Sequence, residues 1–186
     1  YVPDDYSTIQ GGINASNDGD SIFVDPGFYP ESIDFNGKAI VVSSRYIIEN
    51  DSLLIGLTII DAQENESVLT FDSEETNSSI LQGFTVQNGA GNDEDPDDNG
   101  SYYTYGGGVY CESSDPVIRD CIIKDNLANE GGGGGIFCYN NSNPTLLNTI
   151  LWDNGNELEF ADVDVSSTIT ISYSNIEDGQ DSIVTN

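Results

Sequence analysis

Two of the chain's four cations, Arg119 and Lys124, stand close together in "IRDCIIKDN", with Asp120 and Asp125 beside them and Glu112 just upstream. A Lys or Arg among carboxylates can serve as a base, and the carboxylates can hold a divalent cation next to it. These residues form the only local constellation that could carry β-elimination; the alternative is a set of solvated charges that softens an acidic face. Histidine is absent. Its absence removes the usual general base, the Ser/His and Cys/His nucleophile systems and the commonest zinc ligand.

A second chemistry is suggested by "GNDEDPDDNG" (Gly91 to Gly100). From Asp95 it reads D-x-D-x-N-G, the first half of a calcium loop, with oxygens from Asp95, Asp97 and Asn99 and a carbonyl from Ser101. The twelfth position is Gly106 rather than a bidentate Glu, and no helices flank the loop, so an EF-hand is excluded. Two readings remain: a helix-free Ca²⁺ loop completed by a carbonyl, Asp93 or Asp98, and a bare hydrated fringe. Calcium is the only cofactor expected.

A third lies in the rings. Tyr102, Tyr103, Tyr105, Tyr110, Phe137, Tyr139 and Trp152 gather between residues 100 and 155. Exposed rings stack on sugar faces, and a contiguous patch marks a binding surface. Aromatic ladders also stabilise stacked strands with no ligand at all.

The bulk properties limit the partners. The 33 acids against four cations give a formal net charge of −29. Such a surface repels phosphate backbones, which argues against nucleic-acid binding, and it attracts divalent cations. No run approaches the roughly 20 apolar residues of a membrane helix, so membrane insertion is not expected. Cys111, Cys121 and Cys138 show no CxxC spacing and cannot all pair internally. The chain opens at Tyr1 without Met or signal peptide, and is read as a mature or excised fragment of a longer protein.

The elements that must position these residues emerge from self-comparison. "DPVIRDCIIKDN" (Asp115 to Asn126) recurs as "NPTLLNTILWDN" (Asn143 to Asn154), and "GGVYC" (Gly107 to Cys111) recurs as "GGIFC" (Gly134 to Cys138). "SILQGFTVQN" and "TISYSNIEDG" are weaker copies. Short β-branched strands separated by Gly, Asn, Asp and Ser turns at this period indicate a β-solenoid. Alternation points Val109, Cys111, Ile118, Cys121, Ile123, Ile136 and Cys138 inward, and Tyr110, Arg119, Lys124 and Phe137 outward. Stacking then gives a Cys111/Cys138 ladder inside, read as small core residues with a disulfide as the alternative. The Gly runs before these strands suit tight corners rather than phosphate. Asn88, Asn126 and Asn154 close analogous strands, where Asn satisfies the backbone of the next turn and tolerates left-handed geometry. Asp125 and Asp153 share one repeat position, which stacks them at about 5 Å, the carboxyl separation of retaining glycosidases and equally that of paired turn residues at strand ends.

Upstream, "DDYSTIQGGINAS" sets Tyr6, Ile9 and Ile13 at helical spacing behind a cap at Asp5 or Ser7. A short helix there would close the open end of the solenoid. "SIVTN" stops on a further strand, which leaves continuation or end-to-end self-association open.

The stretches "VPDDYSTIQGGINASNDGDSIFVDPGFY", "TIIDAQENESVLTFDSEETNSSILQGFTVQNG" and "GGGVYCESSDPVIRDCIIKDNLANEGGGGGIFC" resemble right-handed parallel β-helix proteins of the pectin-lyase-like class, secreted or cell-surface repeat proteins among them. The resemblance implies an all-β, single-stranded right-handed parallel β-helix. Its N-terminal cap covers residues 1–18, its rungs 19–186, and an acidic insertion 90–105. It implies an extracellular or cell-surface location and a polysaccharide or cell-surface glycan as partner. The class holds lyases, esterases and polygalacturonases beside adhesins without known activity, so fold alone does not settle activity. The leading expectation is a non-catalytic glycan-binding or adhesive module, with Tyr102, Tyr103, Tyr105, Tyr110, Phe137 and Trp152 as contacts. One alternative is a calcium-dependent uronan lyase using Arg119 or Lys124 with Asp120 and Asp125. The other is a structural protein that stacks head to tail into fibres.

Overall fold

The computed structural model describes residues 1–94, 103–161, 166–177 and 183–185. Among these, strands of two to four residues assemble into three parallel six-stranded sheets. The first face stacks Ser21–Val24, Val41–Ser44, Ile80–Gln82, Val117–Arg119, Thr145–Leu147 and Thr170–Ser172. The second stacks Gly27–Tyr29, Thr58–Asp61, Thr85–Gln87, Ile122–Lys124, Ile150–Trp152 and Asn175–Ile176. The third stacks Ile33–Asp34, Leu69–Phe71, Val109–Glu112, Ile136–Tyr139, Leu158–Ala161 and Ile183–Thr185. The chain visits the faces in order, once per rung. This is the parallel β-helix that the repeats imply.

Strands this short demand sharp corners, and left-handed residues supply them. Between the first and second faces the stacked positions Gly83, Asp120, Asn148 and Tyr173 have φ of 82°, 55°, 51° and 54°. The corner that leaves the second face stacks Asn88, Asp125 and Asp153 at 55°, 55° and 57°. Asn and Asp tolerate this region better than other L residues because their side chains bond locally.

The register corrects one expectation. Asn88 stacks on Asp125 rather than on Asn126, whose own position is held by Gly89 in the rung above. The buried amide ladder therefore begins at Asn126. Its Oδ1 accepts from Gly89 N at 2.9 Å, and its Nδ2 donates to Val86 O and to Asn154 Oδ1. Asn154 in turn donates to the buried Glu157 carboxylate at 2.6 Å.

Inside, Val109, Cys111, Ile118, Cys121, Ile123, Ile136, Cys138, Leu146 and Leu151 belong to one continuous core. Cys111 and Cys138 lie side by side in register and remain thiols. Burial pushes the Cys111 and Cys121 thiols up to about 12, so they behave as small apolar residues.

The cap is a helix over Ile9–Ala15 that buries Ile9 and Ile13. Thr8, rather than Asp5 or Ser7, is its N-cap, accepting from Gly11 N at 3.0 Å. Tyr6 lies outside the helix and is exposed. The helix ends are met by distant charges: Glu31 accepts from Ile9 N and Gln10 N, and Lys38 Nζ donates to the carbonyls of Ile13, Asn14 and Ser16. Both pairings agree with the sign of the helix dipole.

Three elements left no pattern in the sequence. A four-residue helix, Tyr46–Glu49, and a 3₁₀ segment, Ser52–Leu57, are too short for a visible period. Asn92–Glu94, Tyr103–Tyr105 and Glu130–Gly132 form a separate small sheet, mixed in direction: the flap.

Candidate functional site

The outer surface of the third face carries most of the residues with binding potential. Strand register places Asp34, Thr70, Tyr110, Phe137 and Glu159 in one outward row. The row has two halves, one open and one covered by the flap.

The covered half corrects the aromatic expectation. Tyr110 and Phe137 leave the core as alternation requires, but only 2% and 3% of each is exposed, and Tyr105 in the flap only 8%. Tyr105 packs on Phe137 at 4.5 Å between ring centroids, and Tyr110 and Tyr139 flank it at 5.7 and 6.3 Å. These rings form a second small core, separate from the first, that glues the flap to the helix. Buried rings offer no face to a sugar. Tyr103 is half-buried on the flap, and Tyr102 lies outside the described residues. Trp152 is 46% exposed, but it sits on the second face beside Lys124.

Glu159 ends the covered half. Its carboxylate lies so close to Gly132 that a Cβ there would overlap it, which ties one flap strand to the absence of a side chain. Burial raises the carboxyl above its usual range, against the lowering effect of hydrogen bonds from Asn156 and the Gly133 backbone. Burial likewise raises Glu157, partly offset by the two hydrogen bonds from Asn154.

The open half is a cleft of about 720 Å³. Its floor is Asp34 and Thr70, one wall is the capping helix with Gln10 and Asn14, and the other is the flap strand with Asn92 and Asp93. Asn36, Asn65 and Glu66 form the rim. Long-range bonds set the walls: Gln10 takes Asp34 N on its Oε1 at 2.8 Å and donates its Nε2 to Asp34 O at 3.0 Å. Asn92 donates to Thr70 Oγ1 at 3.2 Å and accepts from Ser67 N at 3.1 Å. Burial, then the nearby Asp72 and Glu75, raises the Asp34 carboxyl, while a bond from Asn36 N lowers it. None of the lining residues is Lys or Arg.

The cation-and-carboxylate set does not converge. Arg119 stands on the first face, where its Nε donates to Gln82 Oε1 at 2.5 Å. Lys124 stands on the second, ion-paired to Asp125, and Glu112 on the third. Asp120 turns the corner between Arg119 and Lys124 and accepts from Tyr46 Oη at 2.6 Å and from Asn148 Nδ2 at 2.7 Å. Burial, followed by the bond to Asp120, raises the Tyr46 phenol. A smaller cleft of about 400 Å³ beside Asp120 is lined by Ile55, Ile122, Ile150, Asn148 and Tyr173. Asp125 and Asp153 occupy stacked corner positions, as their repeat offset implies.

Of the calcium candidates, Asp93 is exposed on the cleft's flap wall, while Asp95, Asp97, Asp98, Asn99 and Ser101 lie outside the described residues. Among the described residues no group of three or more His, Cys, Asp or Glu side chains converges on a point. No described helix is long and apolar enough to cross a membrane.

No family model matches the chain, and no curated protein matches it. Solved structures with a similar backbone include a pectin methylesterase mutant in complex with hexasaccharide IV, at 12% identity and a TM-score of 0.46. Pectin methylesterase in complex with hexasaccharide VII is similar at 13% identity and a TM-score of 0.46. Each comparison covers 96% of this chain and 62% of the other, so this chain spans less than two thirds of their length.

Proposed function

We propose that the chain is a non-catalytic glycan-binding module, acting in adhesion outside the cell or at its surface, and that the polar cleft of the third face is its contact surface. The observation that carries this reading is the cleft's lining. Its size falls within the range of ligand sites of roughly 300–1,000 Å³, yet amides, two hydroxyls and carboxylates supply most of its wall. A ligand that is hydroxyl on every side matches such a wall, because each hydroxyl both donates and accepts. The non-catalytic part of the reading is supported by the engagement of Arg119, Lys124 and Asp120 with other partners on two faces and the corner between them.

Calorimetric titration with hexasaccharides tests the reading. Asn14 is exposed on the helix wall, so Asn14→Trp fills the cleft without disturbing the core. Binding should weaken about tenfold or more in this variant, with an unchanged melting temperature. Undiminished binding by Asn14→Trp would move the site elsewhere. Calcium at the acidic insertion is a separate proposal. Parent protein should give a calcium-binding heat that Asp95→Ala/Asp97→Ala lacks, and equal heats in both would remove it.

A further inference from the structure

We propose that this cleft selects glycans that carry protonated amines, an amino-sugar chain, over neutral and uronic chains. The inference rests on the glycan-binding reading and adds the ligand's charge to it.

The chain's four cationic side chains lie away from the cleft. All four are committed: Lys38 to three helix carbonyls, Arg45 to Asp25 and Glu49, Arg119 to Gln82, and Lys124 to Asp125. None lines the cleft, while Asp34, Glu66 and Asp93 do, on its floor, rim and far wall. Three carboxylates on three sides of one concave surface add their potentials there, and the concave shape focuses them. Burial, then two carboxylates beyond the lining, Asp72 and Glu75, disfavour the charged form of Asp34 itself. A uronic chain would add like charge to the cleft, and a neutral chain would leave the field uncompensated. An amino-sugar chain places ammonium groups among hydroxyls. It can therefore bond the amides of Asn14 and Asn92 and neutralise the carboxylates in the same pose.

The test is a calorimetric comparison of glucosamine, N-acetylglucosamine and galacturonate hexamers at about pH 6, where amines are protonated. In low salt the glucosamine hexamer should bind about tenfold tighter than the acetylated one, and the preference should shrink at about 1 M NaCl. Charge at the cleft is tested with Glu66→Gln/Asp93→Asn, both at exposed positions. A remote control with the same loss of charge is Asp125→Asn/Asp153→Asn, at the corner that leaves the second face and outside the cleft's lining. The cleft pair should abolish the preference and the remote pair should keep it. Equal binding of the amine and acetyl hexamers, tighter binding of galacturonate with or without calcium, or equal weakening by both pairs would overturn the charge selection and leave glycan binding standing. Binding of none of the three would remove both.

Discussion

Gly83 shows how one residue can be dictated from a distance. It turns a corner at φ 82°, and a Cβ there would overlap the ring of Tyr46, which lies across it to reach Asp120. Gly83→Ala combines left-handed strain with that overlap and should cost about 2–4 kcal/mol in denaturant unfolding. In a Tyr46→Ala background the ring overlap is gone and only Ser44 Oγ, at 2.6 Å, still crowds the site, so the same substitution should cost less. Equal costs in both backgrounds would contradict the contact. Glu159 gives the pH prediction at this scale. Its folded-state carboxyl titrates above the unfolded one, so the folded protein binds more protons between the two, and stability falls as pH rises through that window. Glu159→Gln should therefore raise the melting temperature at neutral pH, with a gap that narrows as pH falls toward the ordinary carboxylate range. A gap that widens on acidification would refute the assignment. Neither residue was legible beforehand. Gly83 reads as any turn glycine, and the burial of Glu159 depends on a flap strand with no pattern of its own.

At the scale of elements, the rungs were legible because their information is local and repeated. The offset between "DPVIRDCIIKDN" and "NPTLLNTILWDN" is the offset that pairs Val117 with Thr145 and Ile122 with Ile150. Strand parity likewise placed Cys111 and Cys138 in the core and Tyr110 and Phe137 out of it. Parity says which way a ring leaves a strand but not what lies on top of it. Tyr105 arrives from a flap strand whose neighbours in the flap come from residues 92–94 and 130–132, a pairing no window of sequence contains. The amide ladder failed by one residue for a similar reason: Asn88 and Asn126 both end a strand, yet only register shows that Asn88 turns the corner while Asn126 points inward. Asn126→Ala removes three buried hydrogen bonds and leaves Gly89 N and Val86 O without it, so unfolding should become easier by about 2–4 kcal/mol. Asn88→Gly, which keeps left-handed tolerance but loses the amide donor to Asp61, should cost less than Asn126→Ala, and the reverse order would contradict the register.

The whole molecule is governed by a charge of −29. Self-repulsion opposes the compact state, and salt screens it over about 10 Å at 0.1 M. The melting temperature should rise by several degrees between about 0.05 and 1 M NaCl; a fall would mean that the few ion pairs outweigh the repulsion. This property is legible from composition alone. The cleft is not, since its residues run from Gln10 to Asp93 and meet only because the capping helix, the first rungs and the flap stack on one face. The most direct test of that site is calorimetric titration of neutral and amino hexasaccharides into the parent protein and Asn14→Trp. The account predicts saturable binding to the parent, weakened about tenfold or more in the variant at equal stability. Absence of binding to the parent, or the same affinity in both proteins, would contradict it.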